Sequence, residues 1–167
     1  MTWWQTLFIA VAPAAVAAGA LVWQHHINAE SARALHGLQA QASRRDEKLA
    51  AHRHALTRLS AMHDVLRTEA SVMVRAMLVA AHEPRPDVIP VPHEIARAAE
   101  DAVSEVALLC DKQSAIAAVK YRASLVDFGL ALSRPEVTLD SITSADRACS
   151  DASVDYLMAA KTELDTR

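Results

Sequence analysis

Polarity along the chain changes in steps, and each step predicts a different kind of helix. Residues 1–23 hold no charged side chain, and Trp3–Trp23 (WWQTLFIAVAPAAVAAGALVW) is an apolar run of 21 residues. At ~1.5 Å per residue it covers roughly 30 Å, the hydrocarbon thickness of a bilayer. Trp3, Trp4 and Trp23 are the only tryptophans and bracket the run, at the headgroup level where amphipathic rings are favoured. A transmembrane anchor over 1–23 is therefore predicted. A cleaved signal peptide would find small residues at Ala18-Gly19-Ala20. It would lack a basic start, however, and the run continues unbroken to Trp23.

After the span, apolar residues recur with a helical period. Steps of three and four from Leu35 reach Leu38, Ala42, Arg45, Leu49, His52, Leu56, Leu59, His63, Leu66, Ala70, Met73, Met77 and Ala80, and eleven of these fourteen positions are apolar. No proline and one glycine interrupt Trp23–His82. One helix is thus expected from the membrane to about residue 81, with a narrow seam that seeks a partner helix. Leu35, Leu38, Leu49, Leu56 and Leu59 are the candidate association residues. Arg45, His52 and His63 weaken the seam. Beyond Leu59, apolar residues such as Met62, Val65, Val72, Val74, Met77, Leu78 and Val79 fall on several sides, which predicts a helix surrounded by others.

His82–Pro92 carries four of the six prolines and reads as a loop. Three helices are predicted after it. The first covers His93–Leu109, with Ile95, Ala99, Ala102, Val106 and Leu109 on one stripe. The second covers Lys112–Ser133, capped by Asp111, with Ile116, Val119, Leu125, Val126, Phe128 and Leu132. The third covers Leu139–Leu164, capped by Thr138, with Leu139, Ile142, Ala145, Cys149, Ala152, Tyr156, Ala160 and Leu164. Short connections favour antiparallel neighbours. The expected fold is all-α: a transmembrane anchor (1–23), an amphipathic, coiled-coil-like stalk helix (24–55), and an antiparallel four-helix bundle (56–167, with the loop at 82–92).

Composition supports this class: aromatic residues are 4 % of the chain, glycine occurs three times, and strand-like alternation is missing. Net charge is −3, unevenly divided. Residues 24–85 hold nine Lys/Arg against six Asp/Glu, whereas 86–167 hold eight against fourteen. The basic part adjoins the membrane, where anionic headgroups attract it. No dense basic face suited to nucleic acid is present. Arg33, Arg44, Arg45 and Lys48 follow the span and no Lys or Arg precedes it. The positive-inside rule then places the N-terminus outside and the remainder in the cytoplasm. There Cys110 and Cys149, in separate predicted helices, would be thiols; the reverse orientation would permit a disulfide.

Candidate chemistry is sparse. His25/His26 and His52/His54 lack the spacing of three or four that a helical metal pair needs, so the histidines read as interfacial or partly exposed residues. Glu100, Asp101 and Glu105, and Asp146, Asp151 and Asp155, read as solvated faces; Glu-x-x-His pairs do not occur. G-x-S-x-G and G-x-x-x-x-G-K motifs are likewise missing. No catalytic, cofactor-binding or metal residue is expected, and the protein reads as a non-enzyme without a cofactor. Small residues at Ala10, Ala14 and Ala18, beside Ala15 and Gly19, would let two spans approach closely.

Trp3–Gln5, His52–Ala80, Ala102–Leu109 with Lys112–Ala118, and Ala145–Leu164 ending in AAKTEL together resemble a group of uncharacterised single-span membrane proteins of actinobacteria and their phages. Members often carry Gly where Cys110 stands, which implies a packing position and not a reactive thiol. The group has no assigned activity, so the resemblance implies a topology and not a reaction. The leading expectation is a membrane-anchored protein that forms a homo-oligomer, or binds a protein partner, at the cytoplasmic face of the bilayer. A phage-related lysis accessory, spanin-like bridge or exclusion factor is the alternative. An accessory subunit of a larger membrane complex is a third reading.

Overall fold

The computed structural model describes the backbone of residues 3–79 and 91–165, with side chains from Ser31 onward, Ala34 and Val79 excepted. Four helices form it: α1 (Trp3–Val79), α2 (His93–Leu109), α3 (Lys112–Leu132) and α4 (Leu139–Asp165). Among the described residues there is no strand, so the chain is all-α. The predicted bounds of α2 hold, and those of α3 and α4 hold to within one residue. The expected loop at 82–92 lies outside the described residues except for Val91 and Pro92. The chain divides into two compact units, Met1–Arg44 and Arg45–Arg167.

In the first unit, the described side chains, from Ser31 to Arg44, are all exposed. Leu35 and Leu38 are 66 % and 63 % exposed. The predicted span, with Trp3, Trp4 and Trp23, lies outside the residues whose side chains are described. Among the described residues, no helix is long and apolar enough to cross a membrane.

The second unit is a helical bundle whose core begins earlier than residue 56. Ala51, Ala55, Leu59, Met62, Leu66, Ala70 and Met73 of α1 are buried, together with His52 and His63. This set repeats every eleven residues (51/62/73, 52/63, 55/66, 59/70). Eleven residues in three turns match a nearly straight helix better than the seven-residue period read from the sequence. The seam therefore divides. Leu59 lies in the protein's own core, Leu56 packs partly against it, and Leu49 is half-buried while Arg45 is exposed. Val72 and Leu78, expected to be enclosed, are 47 % and 76 % exposed.

The other helices follow simpler periods. In α3 the buried residues Ser114, Ala118, Tyr121, Leu125, Phe128 and Leu132 alternate steps of four and three. Ile116, Val119 and Val126, expected in the core, point outward at 45 %, 51 % and 40 % exposure. The α3 stripe is set by register, and it admits small Ser114 and Ala118 in preference to larger neighbours off the seam. In α4 the buried set is Ile142, Cys149, Tyr156, Ala160 and Glu163, while Leu139 is exposed. In α2 it is Ala99, Ala102, Val103 and Val106; Ile95 packs partly against the core and Leu109 is 41 % exposed.

Both predicted caps form. The Asp111 carboxylate accepts from Ser114 N at 2.7 Å. Thr138 and Ser141 exchange reciprocal side-chain bonds with each other's backbone N–H, at 3.0 and 3.2 Å. Each cap satisfies amides that an α-helix leaves open at its start. Cys110, placed in a helix by sequence, instead closes α2 in an extended conformation, its N–H bonded to Val106 O. With Asp111 it makes a two-residue turn into α3.

Cross-helix bonds fix the directions. Lys48, His52, His63 and Arg67 ascend α1 while their partners Glu163, Tyr156 and Asp146 descend α4, so these two helices are antiparallel. Tyr121 and Gly129 of α3 meet His63 and Leu66 in the same order, and α3 runs parallel to α1.

Candidate functional site

Two buried polar clusters interrupt this apolar core, and each centres on a histidine of α1. The expectation that the histidines would be partly exposed fails for both: His52 is 2 % and His63 7 % exposed. Burial of an imidazole is tolerable only when its nitrogens find partners, and α3 and α4 supply them.

At His52, Nδ1 lies 2.9 Å from the Tyr156 hydroxyl and Nε2 lies 3.3 Å from Glu163 Oε2. Tyr156 is fully buried and Glu163 is 8 % exposed. The other carboxylate oxygen, Oε1, accepts from Lys48 Nζ at 2.7 Å and from the Asp111 backbone N–H at 3.0 Å. Burial alone would raise the Glu163 pKa, and it is the largest single influence. The Lys48 ammonium, the neighbouring Ser114 hydroxyl and the Asp111 N–H together outweigh it, and the carboxyl titrates below its ordinary value. Glu163 is thus a carboxylate in the core near neutral pH. The Ser114 oxygen is fully buried and biases that carboxylate, yet it meets no partner in hydrogen-bond geometry.

Cys110 completes this end of the bundle. A ring nitrogen of His52, Cys110 Sγ and a Glu163 oxygen all lie within 4.8 Å of one another. Desolvation, assisted by the Glu163 charge, raises the Cys110 thiol pKa to about 11, so it is a protonated thiol and a poor nucleophile. Both cysteines are free thiols; Cys149 is buried and donates to Ser124 O at 3.2 Å.

At His63 the arrangement is closed by a guanidinium. Nε2 lies 2.9 Å from Asp146 Oδ1, and Arg67 holds the same carboxylate through Nε at 2.7 Å and Nη2 at 3.2 Å. The Arg67 bonds, then His63, place the Asp146 pKa below its ordinary value against a smaller opposing desolvation. Tyr121 Oη approaches His63 Nδ1 at 3.4 Å, and the Phe128 ring packs edge-on to the imidazole. Of the acidic residues expected on a solvated face of α4, Asp151 and Asp155 are exposed, but Asp146 is a cross-helix partner. A third pair, His54 Nδ1 with Glu105 at 2.8 Å, lies at the surface between α1 and α2.

Of the residues singled out from sequence, none of the five seam leucines contributes a polar group to either cluster. Leu35 and Leu38 are exposed, Leu49 and Leu56 half-buried, and Leu59 buried. Glu163 and Ser114 were missed, although the pattern held the signal. Ile142, Cys149 and Tyr156 are spaced by seven, and the next step is Glu163; Tyr121 minus seven is Ser114. The polar character of both positions masked their register.

No protein-family profile, no curated protein and no solved structure matches the chain.

Proposed function

We propose that the chain is a non-enzymatic, membrane-anchored helical protein that self-associates, or binds a partner helix, at the cytoplasmic face of the bilayer. The observation that carries this reading is the division of the α1 seam. Its second part is consumed by the bundle from Ala51 to Met73, whereas Leu35 and Leu38 stand about two-thirds exposed at seam spacing. Apolar residues repeated along an exposed helix are suited to packing against another helix. The uncharged Trp-bracketed run at 3–23 supports an anchor, and the basic residues after it support N-out orientation. The protonated state of Cys110 argues against nucleophilic catalysis.

The test replaces Leu35 and Leu38 together by Asp in the full chain and compares crosslinked species in membranes. Loss of the oligomeric species with an unchanged bundle melting temperature is expected; unchanged oligomer size contradicts the reading. Orientation is read by labelling Cys110 with an impermeant thiol reagent. Reaction only after lysis supports the cytoplasmic placement, and reaction in intact cells reverses it.

A further inference from the structure

We propose that His52, Cys110 and Glu163 form a binding site for a thiophilic divalent cation such as Zn²⁺, at the end of the bundle closed by the Cys110–Asp111 turn. Imidazole, thiolate and carboxylate are the three donor types that zinc accepts, and three protein ligands leave one position for water. The donors come from three elements: His52 from α1, Cys110 from the turn, and Glu163 from α4.

The geometry argues for this beyond proximity. The 3.3 Å between His52 Nε2 and Glu163 Oε2 is long for a charge-assisted hydrogen bond, which runs at about 2.7–2.9 Å. It equals the edge of a tetrahedron, about 3.3 Å, whose nitrogen and oxygen ligands lie at about 2.0–2.1 Å from the ion. The second carboxylate oxygen is already oriented by Asp111 N and Lys48, leaving Oε2 directed at the imidazole. On the far side of the ring, Tyr156 Oη lies 2.9 Å from Nδ1; with the ion in place it accepts from Nδ1–H, and the Nε2 lone pair faces the metal. A hydrogen-bonded outer partner of this kind commonly orients a ligating histidine. The buried Ser114 hydroxyl beside Glu163 supplies a polar group for a water on the fourth position. By contrast the His63 cluster cannot serve: Arg67 engages both oxygens of Asp146, and the neighbouring Cys149 thiol is committed to Ser124 O.

Binding must displace the Cys110 proton, because the ligand is the thiolate. One proton leaves to solvent for each cation bound through this sulfur, so affinity weakens as pH falls. Lys48 competes with the ion for the carboxylate. Its side chain is 36 % exposed, so it can turn to solvent as the ion enters.

The experiment is titration of the purified full chain in detergent with Co²⁺, followed by displacement with Zn²⁺. Expected are d–d bands of tetrahedral cobalt with a thiolate-to-cobalt charge-transfer band, both lost when Zn²⁺ is added. Cys110→Ser should abolish the charge-transfer band, and Cys149→Ser should leave it intact; circular dichroism confirms that both variants fold. Tyr156→Phe should weaken cobalt binding about 10-fold or more, and Lys48→Met should tighten it. Absence of a thiolate band in the wild-type chain would overturn the site. So would its persistence in folded Cys110→Ser, or unchanged or weaker binding in Lys48→Met.

Discussion

The His52 and His63 clusters are built from the same parts and differ in how they are closed. Each joins a histidine of α1 to a carboxylate of α4 and to a tyrosine, from α4 at His52 and from α3 at His63, and the histidines stand eleven residues apart on one face. At His63 the carboxylate is held by Arg67, which is 52 % exposed, and Asp146 is itself 34 % exposed. At His52 the carboxylate is 4 % exposed by its side chain, and its partners are an ammonium, a backbone amide and the imidazole. The first is an ion pair at the rim with a buried imidazole behind it. The second is an ionised group inside the core, which costs more to break because neither the carboxylate nor the imidazole can return to water. Polar groups set at matching points of a helical repeat therefore need not do the same work. Depth and the choice of cation decide.

The largest separation between them should come from truncating the carboxylates. Glu163→Ala strands the buried His52 Nε2 and removes the acceptor of the part-buried Asp111 N–H, and should cost about 2–3 kcal/mol. Asp146→Ala releases Arg67 to solvent but also leaves His63 Nε2 without its carboxylate, and should cost less, about 1–2 kcal/mol. Urea denaturation of both variants checks the order. Removing the tyrosine hydroxyls should give a smaller contrast. Tyr156→Phe deletes a 2.9 Å bond and should cost about 1 kcal/mol. Tyr121→Phe deletes a 3.4 Å contact, beyond good hydrogen-bond length, and should cost less than half as much. Calorimetric melting of the pair measures it.

The smallest effect, and the one the clusters share, is in acid. Both carboxyls titrate lower in the folded chain than their ordinary values of 4.5 for Glu163 and 3.8 for Asp146. The unfolded state thus takes up protons first as pH falls. Their contribution is complete above the ordinary values and is lost as pH falls through the folded ones. The urea midpoint should be flat from pH 7 to pH 6 and decline below about pH 5. The acid-dependent part of that decline should shrink in Glu163→Gln.

Much of the fold was legible in the chain. The Asp111 and Thr138 caps, the bounds of α2, and the apolar stripes of α2 and α4 follow from local chemistry, which acts within a few residues. What escaped was set across helices. A seven-residue count along α1 tracked the seam but missed Ala51 and Ala55, because small residues do not announce a buried face. Glu163 and Ser114 occupy core register with polar side chains, and only the partners brought by folding explain why they are tolerated there. The His52 cluster joins residues 111 positions apart, a distance over which no local pattern carries information.

The claim that the His52 cluster is the deeper and stronger of the two is tested most directly by paired double-mutant cycles, His52/Glu163 against His63/Asp146, read as unfolding free energies. A coupling of about 2 kcal/mol for the first pair and below about 1 kcal/mol for the second is predicted. Equal couplings, or a larger value at His63, would contradict it.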